Sequence, residues 1–314
     1  MAATKHVLLG AGGAIATELT RELLRRGEDV RLISRSGTTV AGTESARADL
    51  LDAAQVLEAI PAGSVVYLLA GLPYDIRIWQ EQWPRIMHNV LDACAQRGAR
   101  LIFFDNIYMY GPVDGVMTEE AAVRPSSRKG EVRAQIATAL LDASRSGRLR
   151  ACIARSADFY GPNATNSVLN QLVLTPLSNG KTAQWIVNAD VPHSFTYTPD
   201  CGRALPLLAA AEDAWSQVWH LPTAAPPLTG RQLVALAARI LGVEPRLRVL
   251  RPWMLRIVGL FDRTVQELME MLYQYDRPYV FDSSKFERRF QFAPTPYEKG
   301  IEETVAQISP KRPL

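Results

Sequence analysis

His6-Val7-Leu8-Leu9-Gly10-Ala11-Gly12-Gly13-Ala14-Ile15-Ala16 runs from an apolar stretch of strand length through a glycine turn into a helix-compatible stretch. The pattern predicts a buried strand, a tight turn at Gly10 and a helix opening near Ala14. The missing side chain at Gly13 lets backbone N–H groups approach a pyrophosphate. The small Ala16 lets the helix pack closely on the strand, with its positive N-terminal end aimed at the phosphates. Gly10, Gly12, Gly13, Ala14 and Ile15 are therefore candidate diphosphate contacts.

Working outward, Ile15, Leu19 and Leu23 recur at four-residue spacing with Leu24 beside them, a stripe that faces a core. Arg25-Arg26-Gly27 supplies basic last-turn residues and a stop. A second apolar run, Val30 to Ile33, ends in Ser34-Arg35-Ser36, which completes a βαβ unit of the expected length. A site for the unphosphorylated coenzyme places an acid at this strand end, to grip the adenosine ribose. Here none stands there. The guanidinium fork of Arg35 and the hydroxyls of Ser34 and Ser36 suit a 2′-phosphate, so NADP(H) is favoured over NAD(H).

At 314 residues and 47% hydrophobic, the chain can bury one large core or two modest ones. The net charge of +3 is spread without long basic runs, which predicts no nucleic-acid partner. Cys94, Cys152 and Cys201 lie far apart and form no zinc spacing, so reduced thiols in a cytoplasmic protein are expected. The first strand begins at His6, which leaves no room for a signal peptide. The apolar run Trp253 to Phe261 is interrupted by Arg256 and is too short to span a bilayer, so no membrane partner is expected. His6, His88, His193 and His220 stand singly, which predicts no metal site, and no Gly-x-Ser-x-Gly elbow supports a hydrolase.

Farther along, Asp49-Leu50 is read as closing a short third strand, followed by a helix over 51–60. Val65 to Leu69 is a continuous apolar run, as in a buried parallel strand, and ends in the small residues Ala70-Gly71 before Leu72. A helix over 85–97 and a strand over 101–104 continue the alternation. The pattern predicts an α/β fold: a Rossmann-type doubly wound parallel sheet over 1–155, with a smaller C-terminal α/β substrate-binding region over 156–314 whose segments interleave with the first. Helices are expected at 230–241 and 264–273. Tyr74, Trp79 and Trp83 follow the fourth strand. Trp185, Phe195, Tyr197, Tyr273, Tyr275 and Tyr279 add aromatics in the second half, and together these hint at an apolar or aromatic substrate. A nucleotide-sugar substrate is less expected, because a sugar-diphosphate pocket would want clustered cations, and its tight candidates, Arg246, Arg248 and Arg251, read as a solvated face.

Six ordered landmarks resemble the extended short-chain dehydrogenase/reductases, or NAD-dependent epimerase/dehydratases. Gly10-x-x-Gly13-x-x-Ala16 is similar to the family's glycine turn. Asp49-Leu50 sits where the family's aspartate–aliphatic pair meets adenine, and Leu69-Ala70-Gly71 resembles the strand end that passes the cofactor. Phe104 to Gly111 resembles the segment that carries the catalytic serine. Arg155 to Pro162 resembles the turn into the substrate domain, and His193 to Asp200 a later strand and helix cap. The resemblance implies a small-molecule substrate and a homodimer paired through helices near 85–97 and 129–145.

The catalytic positions depart from the family. Its serine is Asn106 here, and in place of Tyr-x-x-x-Lys stand Lys129 and Arg133. Four residues apart, these two share a helix face that the resemblance turns toward the nicotinamide ribose, where Arg133 would hold the ribose diol. A lysine can give or take a proton and an arginine cannot, so Lys129 is the candidate proton carrier. Only six of the 35 basic residues are lysines, which makes a lysine at this place suggestive. Asn106 could polarise a substrate oxygen, Tyr108 is an alternative proton donor, and Leu72, Tyr108 and Asp158 are candidate substrate contacts. The reading is hydride transfer between NADP(H) and a carbonyl or alcohol. An epimerase or dehydratase with retained cofactor, and a non-catalytic NADP(H)-sensing regulator, are the alternatives.

Overall fold

The computed structural model describes residues 4–308. Seven strands form one sheet. They include β1 (Lys5–Leu9), β2 (Asp29–Ser34), β3 (Glu44–Arg47), β4 (Val65–Leu68) and β5 (Arg100–Asp105). The strands Ala151–Arg155 and Val218–His220 complete it, and the order is Val218–His220, Ala151–Arg155, β5, β4, β1, β2, β3. Every pairing from Ala151–Arg155 through β3 is parallel. Val7, Leu8 and Leu9, like the four residues of β4, have no solvent exposure, as expected of strands covered on both faces. The covering helices include α1 (Ala14–Arg25), α2 (Ala53–Ala59), α3 (Ile76–Arg97) and α4 (Arg128–Arg145).

Two compact units share the described chain. The first takes residues 4–109, 128–155 and 201–219; the second takes residues 110–127, 156–200 and 220–308. The chain thus passes between them repeatedly, and a division at 155 marks only one of the crossings. The core of the first unit lies where Val7, Leu9, Val66, Leu68, Leu101 and Phe103 meet the inner faces of α2, α3 and α4. In this unit Gly202 lets a helix approach the backbone of Glu18 in α1, where a Cβ would come within 2.7 Å.

The second unit gathers Tyr160, Trp185, Phe195, Leu233 and Ile301 into its own core. Its helix Gly230–Leu241 has the predicted bounds. Thr229 and Gln232 form a capping box, and Gly242 closes it in the left-handed conformation. Trp185, Phe195, Tyr197, Tyr275 and Tyr279 are all buried, and the His193 ring is sandwiched between Tyr275 and Tyr279 at 4.7 and 4.2 Å. These aromatics pack with one another, which removes the hint of an aromatic substrate that their number suggested.

Three boundaries differ from those read in the sequence. The third strand ends at Arg47, because the Asp49 carboxylate accepts the Leu51 N–H and turns the chain toward Asp52, the N-cap of α2. The helix expected over 85–97 begins at Ile76 and passes through Pro84, because Asp75 caps it and Ile76, Trp79 and Trp83 bury its first turns. The helix expected over 264–273 is α-helical only to Leu268 and continues as a 3₁₀ turn. Among the described residues no helix is long and apolar enough to cross a membrane.

His6, buried at the start of β1, meets the Tyr67 hydroxyl through Nδ1 at 2.9 Å. Burial lowers its pKa from the ordinary 6.5, against the raising influence of Glu28. The folded chain therefore binds this proton less readily than the unfolded chain, and the associated stability is present above pH 6.5 and lost as the pH falls below it. Melting temperatures measured from pH 8 to 5 should fall more steeply below that value in the native chain than in His6→Gln.

Candidate active site

The sheet order reverses between β1 and β4, because the chain winds outward from β1 to β3 and then crosses back. In an open parallel sheet, a ligand crevice forms at such a point, outside the carboxyl ends of the two strands. Gly10 follows β1 with φ +100°, and a Cβ there would lie 2.5 Å from Cα of Ala70, just beyond β4. The N–H groups of Gly10 and Ala11 both donate to the Ile33 carbonyl at 3.0 Å, tying the turn to β2. Gly12 also has positive φ, +98°, and faces the Thr38 side chain. Gly13 caps α1 without any side-chain hydrogen bond, and the first turn of the helix carries no acid. Amides and the positive helix end are thus left for an anion, and the donor set fits a pyrophosphate.

At the end of β2, the Ser34 hydroxyl accepts the Thr38 N–H at 2.9 Å, and the hydroxyls of Ser34, Ser36 and Thr38 stand within 3.2–3.4 Å of one another. Arg35 is exposed beside them. Arg47, the register partner of Ser34, runs so close over Gly37 that a Cβ there would lie 2.9 Å from its Nε. Residues carrying two guanidinium groups and three hydroxyls therefore gather at this strand end. Asp49 is engaged by Leu51, and Leu50 is buried with its carbonyl accepting from Asn89. Leu69 continues the β4–β1 ladder through the Leu9 carbonyl, Gly71 is exposed, and Leu72 packs half-buried on the core.

The catalytic candidates gather at the end of β5 and the start of α4. The Asn106 carbonyl oxygen accepts the Tyr108 N–H at 3.1 Å. That bond assigns the side-chain oxygen as the acceptor and the Nδ2 as a donor. Tyr108 stacks on Trp79, with ring centres 6.2 Å apart. Lys129 has no solvent exposure, and its ammonium lies 4.6 Å above the Tyr74 ring. Arg133, one turn on, turns to the same flank of α4. Its guanidinium sits 4.2 Å from the Trp83 ring and 4.8 Å from Trp79. It also lies 3.3 Å from the buried Asp105 carboxylate, which Arg155 approaches at 3.7 Å from the neighbouring strand.

Asp105 is the central residue that sequence reasoning missed. Burial pushes its carboxyl above the usual carboxylate range, while Arg133 and Arg155 pull the other way. Burial likewise lowers the Arg133 guanidinium, which Asp105 opposes. Nε and Nη1 of Arg133 have no hydrogen-bond partner, so ring faces and the facing charge hold it in place of directed bonds. One signal was legible: the apolar runs of β5 and of the next strand end in Asp105 and Arg155, register partners of opposite charge. Trp79 and Trp83, read as lining a substrate site, instead box Arg133. In the second unit the Asp158 carboxylate faces His193 Nε2 at 3.0 Å and accepts the Tyr275 hydroxyl at 2.8 Å. Tyr110 packs with its hydroxyl 2.9 Å from His220, whose Nδ1 meets the Asp282 carbonyl and so carries the proton. Among the described residues no group of His, Cys, Asp and Glu could hold a metal ion.

A family model described as the NAD dependent epimerase/dehydratase family matches residues 6–218. Similar solved structures include a dTDP-glucose 4,6-dehydratase from Streptomyces venezuelae with NAD bound. It has TM-score 0.79 and 19% identity over 97% of this chain and 96% of that one. A UDP-glucose 4-epimerase from Thermus thermophilus, in complex with NAD, has TM-score 0.78 and 18% identity over 97% and 99%. A UDP-glucuronic acid 4-epimerase from Bacillus cereus, in complex with UDP-glucuronic acid and NAD, has TM-score 0.77 and 18% identity over the same shares. At such identities these likenesses speak to the fold. No curated sequence relative matches the chain.

The Arg133 box makes a stability prediction. Arg133→Ala leaves Asp105 with one cation and empties a space between two tryptophans. Urea unfolding should show a loss of about 3–5 kcal/mol. An unchanged midpoint combined with weakened coenzyme binding would instead make Arg133 a ribose anchor.

Proposed function

The chain belongs to the NAD-dependent epimerase/dehydratase family, and from that premise we propose that it is an oxidoreductase favouring NADP(H), which moves a hydride between the coenzyme and a carbonyl or alcohol carbon. The observation that carries this reading is the donor set at the switch point. The uncapped first turn of α1 suits the diphosphate, and Ser34, Arg35, Ser36, Thr38 and Arg47 suit a 2′-phosphate where an acid would suit bare ribose hydroxyls. Ala70 and Gly71 offer a side-chain-poor strand end against which a flat ring can lie. When bound, the nicotinamide supplies or accepts the hydride.

The protein's own residues orient the substrate and handle the proton. Asn106, whose side-chain oxygen is taken by the Tyr108 N–H, would donate from Nδ2 to the substrate oxygen and stabilise charge developing there. Lys129 would give a proton to that oxygen during reduction and take it back during oxidation, with Tyr108 as the alternative donor. Arg133 serves as a positioning residue, because its contacts with the Trp79 and Trp83 rings and the Asp105 charge hold α4 against α3 one turn from Lys129. Leu72, Tyr108 and Asp158 are proposed substrate contacts. A homodimer through α3 and α4, a small-molecule substrate and a cytoplasmic setting complete the reading.

A second reading is an epimerase or dehydratase that removes and returns the hydride. It is favoured by the dehydratase and epimerases among the similar structures, one of which is described in complex with UDP-glucuronic acid.

The test is titration with NADPH and NADH, followed by turnover on a panel of ketones, aldehydes and nucleotide sugars. NADPH should bind at least about tenfold more tightly than NADH, and Arg35→Ala should erase most of that preference. Lys129→Met should lower turnover about 10²- to 10⁴-fold while coenzyme still binds. Conversion of a nucleotide sugar without net NADPH oxidation would select the second reading. Coenzyme binding with no turnover across the panel would select a non-catalytic sensor.

A further inference from the structure

Between Arg246 and Arg263 the second unit presents cationic and large apolar side chains together. The segment holds five arginines and one acid, Asp262. The Asp262 carboxylate accepts the N–H groups of Thr264 and Val265, so its charge is engaged locally. Arg248, Arg251 and Arg256 are exposed and make no ion pair with a described residue.

The helix Pro252–Val258 is anchored by one side chain. Leu255 is buried in a small cluster with Ile186 and Tyr275. Trp253 and Ile257 lie four residues apart, and at about 100° per residue both project from the side opposite Leu255. Trp253 is 61% exposed. Beyond the helix the chain turns through Gly259 into Leu260 and Phe261, which are 78% and 89% exposed. Large apolar residues left in water together mark a place where something else covers them. Leu260 and Phe261 form a protruding tip, not a groove.

We propose that this segment seats the protein on an anionic lipid bilayer. Trp253, Ile257, Leu260 and Phe261 enter the boundary between headgroups and acyl chains, while Arg248, Arg251 and Arg256 face the lipid phosphates and carboxylates. A surface helix of this kind combines an apolar face with flanking cations, and its affinity grows with both. Aromatic rings such as those of Trp253 favour that interfacial depth. Two features argue for a bilayer over other occupants. In a twofold pairing of the chain with itself, the same patch meets itself, which sets these arginines against their own copies. A protruding tip also needs a matching cavity in a protein partner, whereas a bilayer deforms around it. The expectation of no membrane partner rested on spanning length, and a segment that lies on the surface has no such requirement.

The proposal does not depend on the coenzyme reading, and vesicle flotation of the full chain tests it. Phosphatidylcholine vesicles with and without phosphatidylserine are compared for the native chain, for Leu260→Ser/Phe261→Ser and for Arg251→Gln/Arg256→Gln. The native chain should float with the anionic vesicles and much less with the neutral ones, and added salt should release it. Each double variant should melt at the native temperature and lower the partition at least about tenfold. Absence of flotation with anionic vesicles, or flotation that neither variant changes, overturns the proposal. So does a native dimer that fails to bind vesicles and is lost in Leu260→Ser/Phe261→Ser, which would assign the patch to a second copy. Binding to polyglutamate but not to vesicles would assign it to an acidic protein and equally overturn it.

Discussion

Two backbones meet where the sheet reverses direction, and only a residue without a side chain permits it. Gly10 lies against Ala70 so closely that a single added carbon would collide with the main chain, and the φ of +100° already disfavours any other residue. This contact brings the end of β1 beside the end of β4 and sets the path of the turn into α1. The free amides of that helix end, and the hydroxyl cluster that follows β2, take their positions from it. A substitution at Gly10 therefore strains the turn itself, at the point where Leu9 leaves the hydrophobic core.

The second organising feature is electrostatic. Asp105 stands between two arginines at the ends of adjacent strands, all three nearly excluded from water. Such a trio is costly to assemble and more costly to break, so its place beside Asn106 ties the end of β5 to core packing. It also explains why an arginine can stand where the family places a lysine. The Arg133 guanidinium lies within 5 Å of two indole rings set at 80° to each other and faces a carboxylate at the same time. Lys129, one turn earlier, sets its ammonium over the Tyr74 face.

Much of this was legible in the sequence. The turn at Gly10, the alternation of strands and helices, and the capped helix Gly230–Leu241 all follow from local rules, since apolar period, glycine placement and capping residues act within a few positions. The pairing of Lys129 and Arg133 on one helix face followed from spacing alone. What was hidden depends on partners distant in sequence. Trp79 and Trp83 read as lining for a substrate because nothing nearby shows that Arg133 will lie between them. Asp105 read as a landmark because its two cations arrive 28 and 50 residues later. The beginning of α3 was missed because Pro84 suggests a helix start, while Asp75 supplies an earlier cap and burial of Ile76, Trp79 and Trp83 carries the helix through the proline.

The most direct measurement is calorimetric titration of the native chain and of Gly10→Ala with NADPH, both shown to be folded by circular dichroism. The crowding at Ala70 predicts tight binding by the native chain and a loss of about 10- to 100-fold in the variant. Equal affinities in the two chains, or a native chain that takes up neither NADPH nor NADH, would contradict the account.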